Sequence, residues 1–205
     1  MRIVAGKYGG RRIGVPSGSD LRPTSERVRE AIFSSLTSHR DFENLRVLDL
    51  YAGSGALGFE ALSRGAASVV FVESDKDSCK QIQDTAKLFG AERQTKVVQA
   101  KVLDSLKRMG EAAFDLVFAD PPYADHPGEE LVTALGISGM VAPGTSIVIE
   151  GGAKLKISPV VELLSKDLQA NGLIARLDRE KRYGDTVVFY LEVEHRGEGV
   201  AEGLE

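Results

Sequence analysis

Arg46-Val47-Leu48-Asp49-Leu50-Tyr51-Ala52-Gly53-Ser54-Gly55-Ala56-Leu57-Gly58 changes character twice within one short stretch. The apolar run up to Tyr51 reads as a buried strand. The glycines then allow a tight turn into a helix that runs to Arg64, with Gly65 as its stop. Glycine at such a turn lets the backbone pass close to a ligand, which the N–H groups of the helix's first turn then face. Gly53-x-Gly55-x-x-Gly58 satisfies the dinucleotide fingerprint. Glu73 lies 20 positions after Gly53, at the end of the next strand, where a carboxylate meets ribose hydroxyls. A nicotinamide-dependent oxidoreductase is therefore one reading. Asp49 supports another: at the strand end its carboxylate suits a cationic amino group. A nicotinamide dinucleotide has none there, whereas the amino-acid moiety of S-adenosylmethionine does.

Outward from this stretch, strands and helices alternate. Residues 68–73 form a second strand, and the helix after it carries Cys79, Ile82, Ala86 and Phe89 on one stripe. A short strand at 96–98, a helix through 103–106, a strand at 114–119, a helix around 129–135 and a strand at 145–149 follow. A helix opening at Ser158 or Pro159, with Val161, Leu164 and Leu168 on one face, closes at Gly172. Residues 173–177 and 186–193 are joined by a turn containing Tyr183-Gly184-Asp185 with no helix between, so they pair antiparallel. The expected fold is α/β: a Rossmann-like, mostly parallel seven-stranded sheet with a C-terminal antiparallel hairpin.

Ahead of it stand a small hairpin (2–5 with 11–15, turning at Gly9-Gly10) and a linker at 16–20. A helix over 25–37 has Thr24 as its N-cap and Val28, Ile32 and Leu36 on one face. Residues 1–20 are expected to form the N-terminal hairpin and linker, 21–194 the main domain, and 195–205 a disordered tail short of apolar content.

A second motif ends the fourth strand. In Val117-Phe118-Ala119-Asp120-Pro121-Pro122-Tyr123 the prolines lack a backbone N–H and have a fixed φ, so neither strand nor helix continues. The stiff turn fixes the Asp120 carboxylate, the backbone carbonyls and the Tyr123 ring relative to each other. Acceptors beside a flat ring suit a planar group bearing an NH2, such as a nucleobase; a polar turn after a buried strand is the plainer alternative. Together with Asp49 and the terminal hairpin, this turn argues against hydride transfer, in which it has no task.

Composition sets the remaining bounds. The 205 residues hold 42% hydrophobic and 27% charged side chains and one cysteine, which cannot form an internal disulfide. No apolar run approaches a membrane span, and a cytoplasmic location is expected. His39, His126 and His195 show no ligand spacing, so no metal is expected. The net charge of −4 conceals an asymmetry: residues 1–30 carry Arg2, Lys7, Arg11, Arg12, Arg22, Arg27 and Arg29 against Asp20, Glu26 and Glu30, leaving −8 for the rest. A local basic patch can bind phosphates on an acidic protein. Arg22, Arg27 and Arg29 near the start of the first helix oppose its dipole, which hints at an anionic partner.

The chain resembles the class I S-adenosylmethionine-dependent methyltransferases that carry an Asp-Pro-Pro-Tyr signature. More narrowly it is similar to the RsmD family of 16S ribosomal RNA (guanine-N2)-methyltransferases. Leu21-Arg22-Pro23-Thr24-Ser25-Glu26-Arg27-Val28-Arg29-Glu30, residues 49–58 with Leu62-Ser63-Arg64, residues 120–123 and Tyr183-Gly184-Asp185-Thr186 carry the likeness. The resemblance implies a monomer acting on a guanine of 16S rRNA, guanine 966 in rRNA numbering, in the small ribosomal subunit. It implies S-adenosylmethionine contacts at Thr24, Asp49, Ala52, Gly53, Ser54, Gly55, Glu73, Ser74, Lys101, Val102 and Asp120. Asp120, Pro121, Pro122 and Tyr123 would be catalytic, and Lys7, Arg11, Arg12, Arg22 and Arg27 would meet RNA. Many relatives place Asp or Asn where Lys101 stands, so the adenine contact falls to the backbone around Lys101 and Val102. Tyr183 is read as hairpin packing or as a substrate contact. A DNA adenine-N6 or cytosine-N4 methyltransferase is the nearest alternative, though such enzymes need an added recognition segment for which the chain leaves little room.

Overall fold

The computed structural model describes residues 1–14, 26–110, 113–121, 128–152 and 155–197. Strands β1 (Arg46–Leu50), β2 (Ser68–Glu73), β3 (Thr95–Gln99), β4 (Leu116–Ala119), β5 (Ser146–Gly152), β6 (Leu173–Tyr183) and β7 (Thr186–His195) form one sheet in the order β3-β2-β1-β4-β5-β7-β6. Helices α1 (Glu26–Thr37), α2 (Ala56–Ser63), α3 (Lys76–Phe89), α4 (Val102–Arg108), α5 (Gly128–Ile137) and α6 (Ser158–Leu168) alternate with the strands. β2 pairs in parallel with β1 and β3, and β7 runs antiparallel to both β5 and β6. The expected mostly parallel sheet with an antiparallel close is therefore the observed one. Strand order reverses between β1 and β4, and at such a switch point the carboxyl ends of open α/β sheets leave a crevice. The expected linker at 16–20 and the N-cap at Thr24 lie outside the described residues, as does the tail from 198 onward.

Two compact units make up the chain. Residues 1–105 with 118–120 form one, and 106–117 with 121–205 the other. In the first unit, rings fill the core: Phe59 meets Phe71 at 5.0 Å and Phe89 edge-on at 5.6 Å, and Phe33 meets Phe118 at 5.5 Å. α3 buries its predicted stripe of Cys79, Ile82, Ala86 and Phe89. Asp75 caps it through the Ser78 N–H, and left-handed Gly90 ends it.

The expected N-terminal hairpin forms around an antiparallel bridge from Arg2 to Arg12, with Ile3 N bonded to Arg11 O, Gly10 N to Ile3 O and Ile13 N to Met1 O. Other donors of the segment turn to α2. The N–H groups of Val4 and Ala5 bond the Glu60 carboxylate, and those of Lys7 and Tyr8 bond the Ser63 carbonyl and hydroxyl, all on α2. With Ile3, Tyr8 and Ile13 buried, the segment belongs to the core of the first unit.

In the second unit α6 buries Val160, Leu164 and Leu168, one position off the predicted stripe at its first member; Val161 is half-buried. Ser165 Oγ exchanges hydrogen bonds with the Ala175 backbone and ties α6 to β6. β6 runs six residues beyond the expected end at Leu177, paired with β7 up to the turn. Its outer half, residues 178–182, is charged throughout, so it carries no apolar signal, although after a bulge between Leu177 and Arg179 its pairing with β7 resumes and runs to Tyr183. Such a charged edge discourages pairing with another chain.

Candidate active site

The glycine stretch places three acids at the carboxyl ends of β1, β2 and β4. β1 stops because Tyr51 takes a left-handed φ of 57°, an uncommon conformation for a bulky residue. Gly53 and Gly55 follow with φ of 52° and 75°, which carries the chain into α2. Gly58 serves packing: a Cβ there would lie 2.3 Å from the Phe71 ring and 2.7 Å from Val69 Cγ1, so α2 sits against β2 only if this residue has no side chain.

Two of the acids are tied to the glycine stretch by their carboxyl groups. Gly58 N donates to Asp49 Oδ2 at 2.9 Å, and Gly53 N to Glu73 Oε2 at 2.8 Å. Asp75 N and Ser74 Oγ donate to Glu73 Oε1 at 2.8 and 3.4 Å. Ala52 N bonds Val72 O at 3.1 Å, and Asp120 N approaches Leu50 O at 3.5 Å, which sets the Asp120 turn beside the end of β1. Asp49 is 2% exposed. Burial pushes its carboxyl up to about 8; the Gly58 N–H opposes the shift, and the charges of Asp120 and Glu73 add to it. The charges of Glu73 and Asp120 both act on Asp49, so this end of the strands favours a positive charge.

Ser54 is buried, its hydroxyl 3.8 Å from the Met1 sulfur, and Ser74 is exposed at the end of β2. Lys101 is exposed and Val102 buried. The Lys101 carbonyl is taken by Ser105 N at 3.0 Å, so the donors on that side are the first N–H groups of α4. Pro121 is buried directly after Asp120. Thr24, Arg22, Pro122, Tyr123 and His126 lie outside the described residues.

The family described as Conserved hypothetical protein 95 matches residues 1–192. Ribosomal RNA small subunit methyltransferase D of Haemophilus influenzae is 37% identical over 152 residues, 73% of this chain and 78% of its own length. Its Escherichia coli counterpart is 33% identical over 189 residues, 91% of this chain and 93% of its own. The chain belongs to the RsmD family of methyltransferases. The solved structure of Escherichia coli yhhF, 31% identical, superposes with a TM-score of 0.77 over 95% of this chain and 98% of that one. A ribosomal protein L11 methylase from Lactobacillus delbrueckii, 17% identical with a TM-score of 0.66 over 92% and 88% of the two chains, shows the fold alone.

In this RsmD family chain the basic residues divide by environment. Lys7, Arg11, Arg12 and Arg27 are exposed. Arg11 lies 4.6 Å over the Phe89 ring and donates to Leu88 O at 2.6 Å, which holds its guanidinium on the surface. Arg29 corrects the reading of α1 as a helix start poised for an anion. It is fully buried, 3.8 Å from Glu60, and burial lowers its pKa against the pull of that carboxylate. Glu60, also fully buried, escaped the sequence reading because a lone Glu in an otherwise apolar helix carries no motif.

Proposed function

We propose that this chain methylates the exocyclic N2 of a guanine in the 16S rRNA of the small ribosomal subunit, at guanine 966 in rRNA numbering, using S-adenosylmethionine. The observation that carries the reading is the position of Asp120. It closes β4 beside Leu50, at the same strand ends as the Asp49 and Glu73 loop, and Pro121 stiffens the turn that follows.

The residues present fit the cofactor. The buried Asp49 carboxyl lies where an ammonium would draw it into the charged form, and Glu73 Oε2, which accepts the Gly53 N–H, keeps a second lone pair for a ribose hydroxyl. Backbone at Ala52, Gly53, Ser54 and Gly55 would line the loop side, and Ser74, Lys101 and Val102 the adenine side. When bound, the sulfonium supplies an electrophilic methyl group.

The chain's own part is orientation. The guanine N2 lone pair is delocalised into the ring. Asp120 and the Pro121 carbonyl, by accepting its two N–H hydrogens, would localise the pair and aim it. No base is needed beforehand, since the nitrogen becomes acidic only after it gains the methyl; Asp120 then takes the proton. Tyr123 would stack on the base, contributing about 1–3 kcal/mol against an unstacking cost of a few kcal/mol.

The test is transfer of labelled methyl to unmethylated small subunits, naked 16S rRNA and DNA, with mapping of the product. Label on guanine N2 of the rRNA is expected. Label on adenine N6 or cytosine N4 of DNA would replace the reading, and thermal stabilisation by NAD but not by S-adenosylhomocysteine would remove it.

A further inference from the structure

One carboxylate gathers the N-terminal segment, α1 and α2. Glu60 Oε2 accepts from Val4 N at 2.8 Å, and Oε1 accepts from Ala5 N at 3.1 Å and from Arg64 Nε at 3.0 Å. Arg64 Nη2 lies 2.9 Å from the same Oε1, and Arg29 Nε lies 3.8 Å from Oε2. Both arginines lead to α1: Arg29 belongs to it, while Arg64 lies 4.9 Å over the Phe33 ring and reaches Thr37 Oγ1 at 3.4 Å. Arg29 Nη2 also donates to the Arg2 carbonyl, whereas its Nε and Nη1 have no hydrogen-bond partner among the described residues.

Two guanidinium groups thus share one carboxylate in a buried place. Stability alone does not favour that choice, because well-packed apolar residues of similar volume usually do as well or better. The arrangement does fix position. Segment 1–14 carries Lys7, Arg11 and Arg12, α1 carries Arg27, and α2 begins at the glycine loop. Only two residues along α2 separate the Gly58 N–H that holds Asp49 from the Glu60 carboxylate that holds the basic segment.

We propose that Glu60 is a positioning residue for RNA: it sets where the basic N-terminal segment and α1 stand relative to the cofactor loop. This rests on the RNA-methylation reading above. A glutamine at 60 would turn an NH2 toward a backbone N–H or a guanidinium, removing an anchor and the counter-charge of Arg29 and Arg64. The bonds of Asp49 to Gly58 and of Glu73 to Gly53 do not involve Glu60.

The experiment compares wild type with Glu60→Gln in the full chain. It measures affinity for S-adenosylhomocysteine by calorimetry and the KM for unmethylated small subunits. RNA-side KM is expected to rise about tenfold or more, as small misplacements of docking groups do. Cofactor affinity should change far less, because the Glu60 side chain makes none of the bonds that hold Asp49 and Glu73. Equal loss of both, or an unchanged KM, would overturn the proposal. Should Glu60→Gln not fold, Arg64→Gln removes a partly exposed partner of the same carboxylate; the same split at smaller size is expected, and its absence overturns the proposal. Wild type that methylates subunits beside an indifferent Glu60→Gln refutes this inference alone, whereas wild type inert toward RNA refutes the functional reading with it.

Discussion

Burial holds the Asp49 carboxyl at about 8, far above the roughly 3.9 of a solvated Asp. The folded chain therefore keeps a proton that the unfolded chain releases, and the sign follows: this group makes folding less favourable as pH rises from the ordinary carboxylate range to about 8. Asp49→Asn removes that dependence. Its melting temperature should exceed wild type by more near pH 8 than near pH 5, while calorimetry shows weaker S-adenosylhomocysteine binding. A pH-independent gain would mean that the carboxyl titrates normally. Asp120→Ala should behave in the opposite way for function: cofactor affinity kept, methyl transfer lost. Wild-type turnover in that variant would end the amine-orienting role assigned to the turn.

At the scale of elements, the glycine loop was legible because Gly53 and Gly55 take the left-handed φ that leads into α2, and Gly58 allows the close approach of α2 to β2. Gly58 is the packing member. Gly58→Ala should destabilise the chain by about 1–3 kcal/mol, since the Phe71 ring and Val69 it would strike are buried and cannot swing away. An unchanged urea midpoint would show that β2 yields more easily than its packing suggests. What the sequence hid has a common physical origin. Periodicity shows which face of an element is apolar, but not which partner satisfies its backbone donors. The N-terminal segment reads as a hairpin and forms one, but nothing in its pattern shows that Val4, Ala5, Lys7 and Tyr8 give their N–H groups to α2. β6 fails the apolar test after Leu177 because residues 178–182 are all charged, yet its ladder with β7 continues to Tyr183. Arg29 looks like surface charge in a basic run, and only the buried Glu60 explains it.

For the whole molecule, net charge of −4 is a poor guide to an RNA partner, because the basic excess of residues 1–30 faces a remainder of −8. What counts is which cations can reach phosphate. Arg12 is exposed and Arg29 is not, so two neighbours in composition should behave differently. Arg12→Ala should weaken RNA binding about equally across sequences and lower the slope of log affinity against log salt by about one, the signature of one lost phosphate contact. Cofactor affinity and melting temperature should be untouched. Arg29→Ala should leave the salt slope alone and lower stability by about 3 kcal/mol, because it breaks a buried pair and leaves Glu60 with less counter-charge. Salt titration of RNA binding for the two variants, run beside thermal unfolding, separates the roles. A salt slope that fell by about one in Arg29→Ala with thermal unfolding unchanged would place that guanidinium on phosphate and return α1 to the anion-facing reading that its burial argues against.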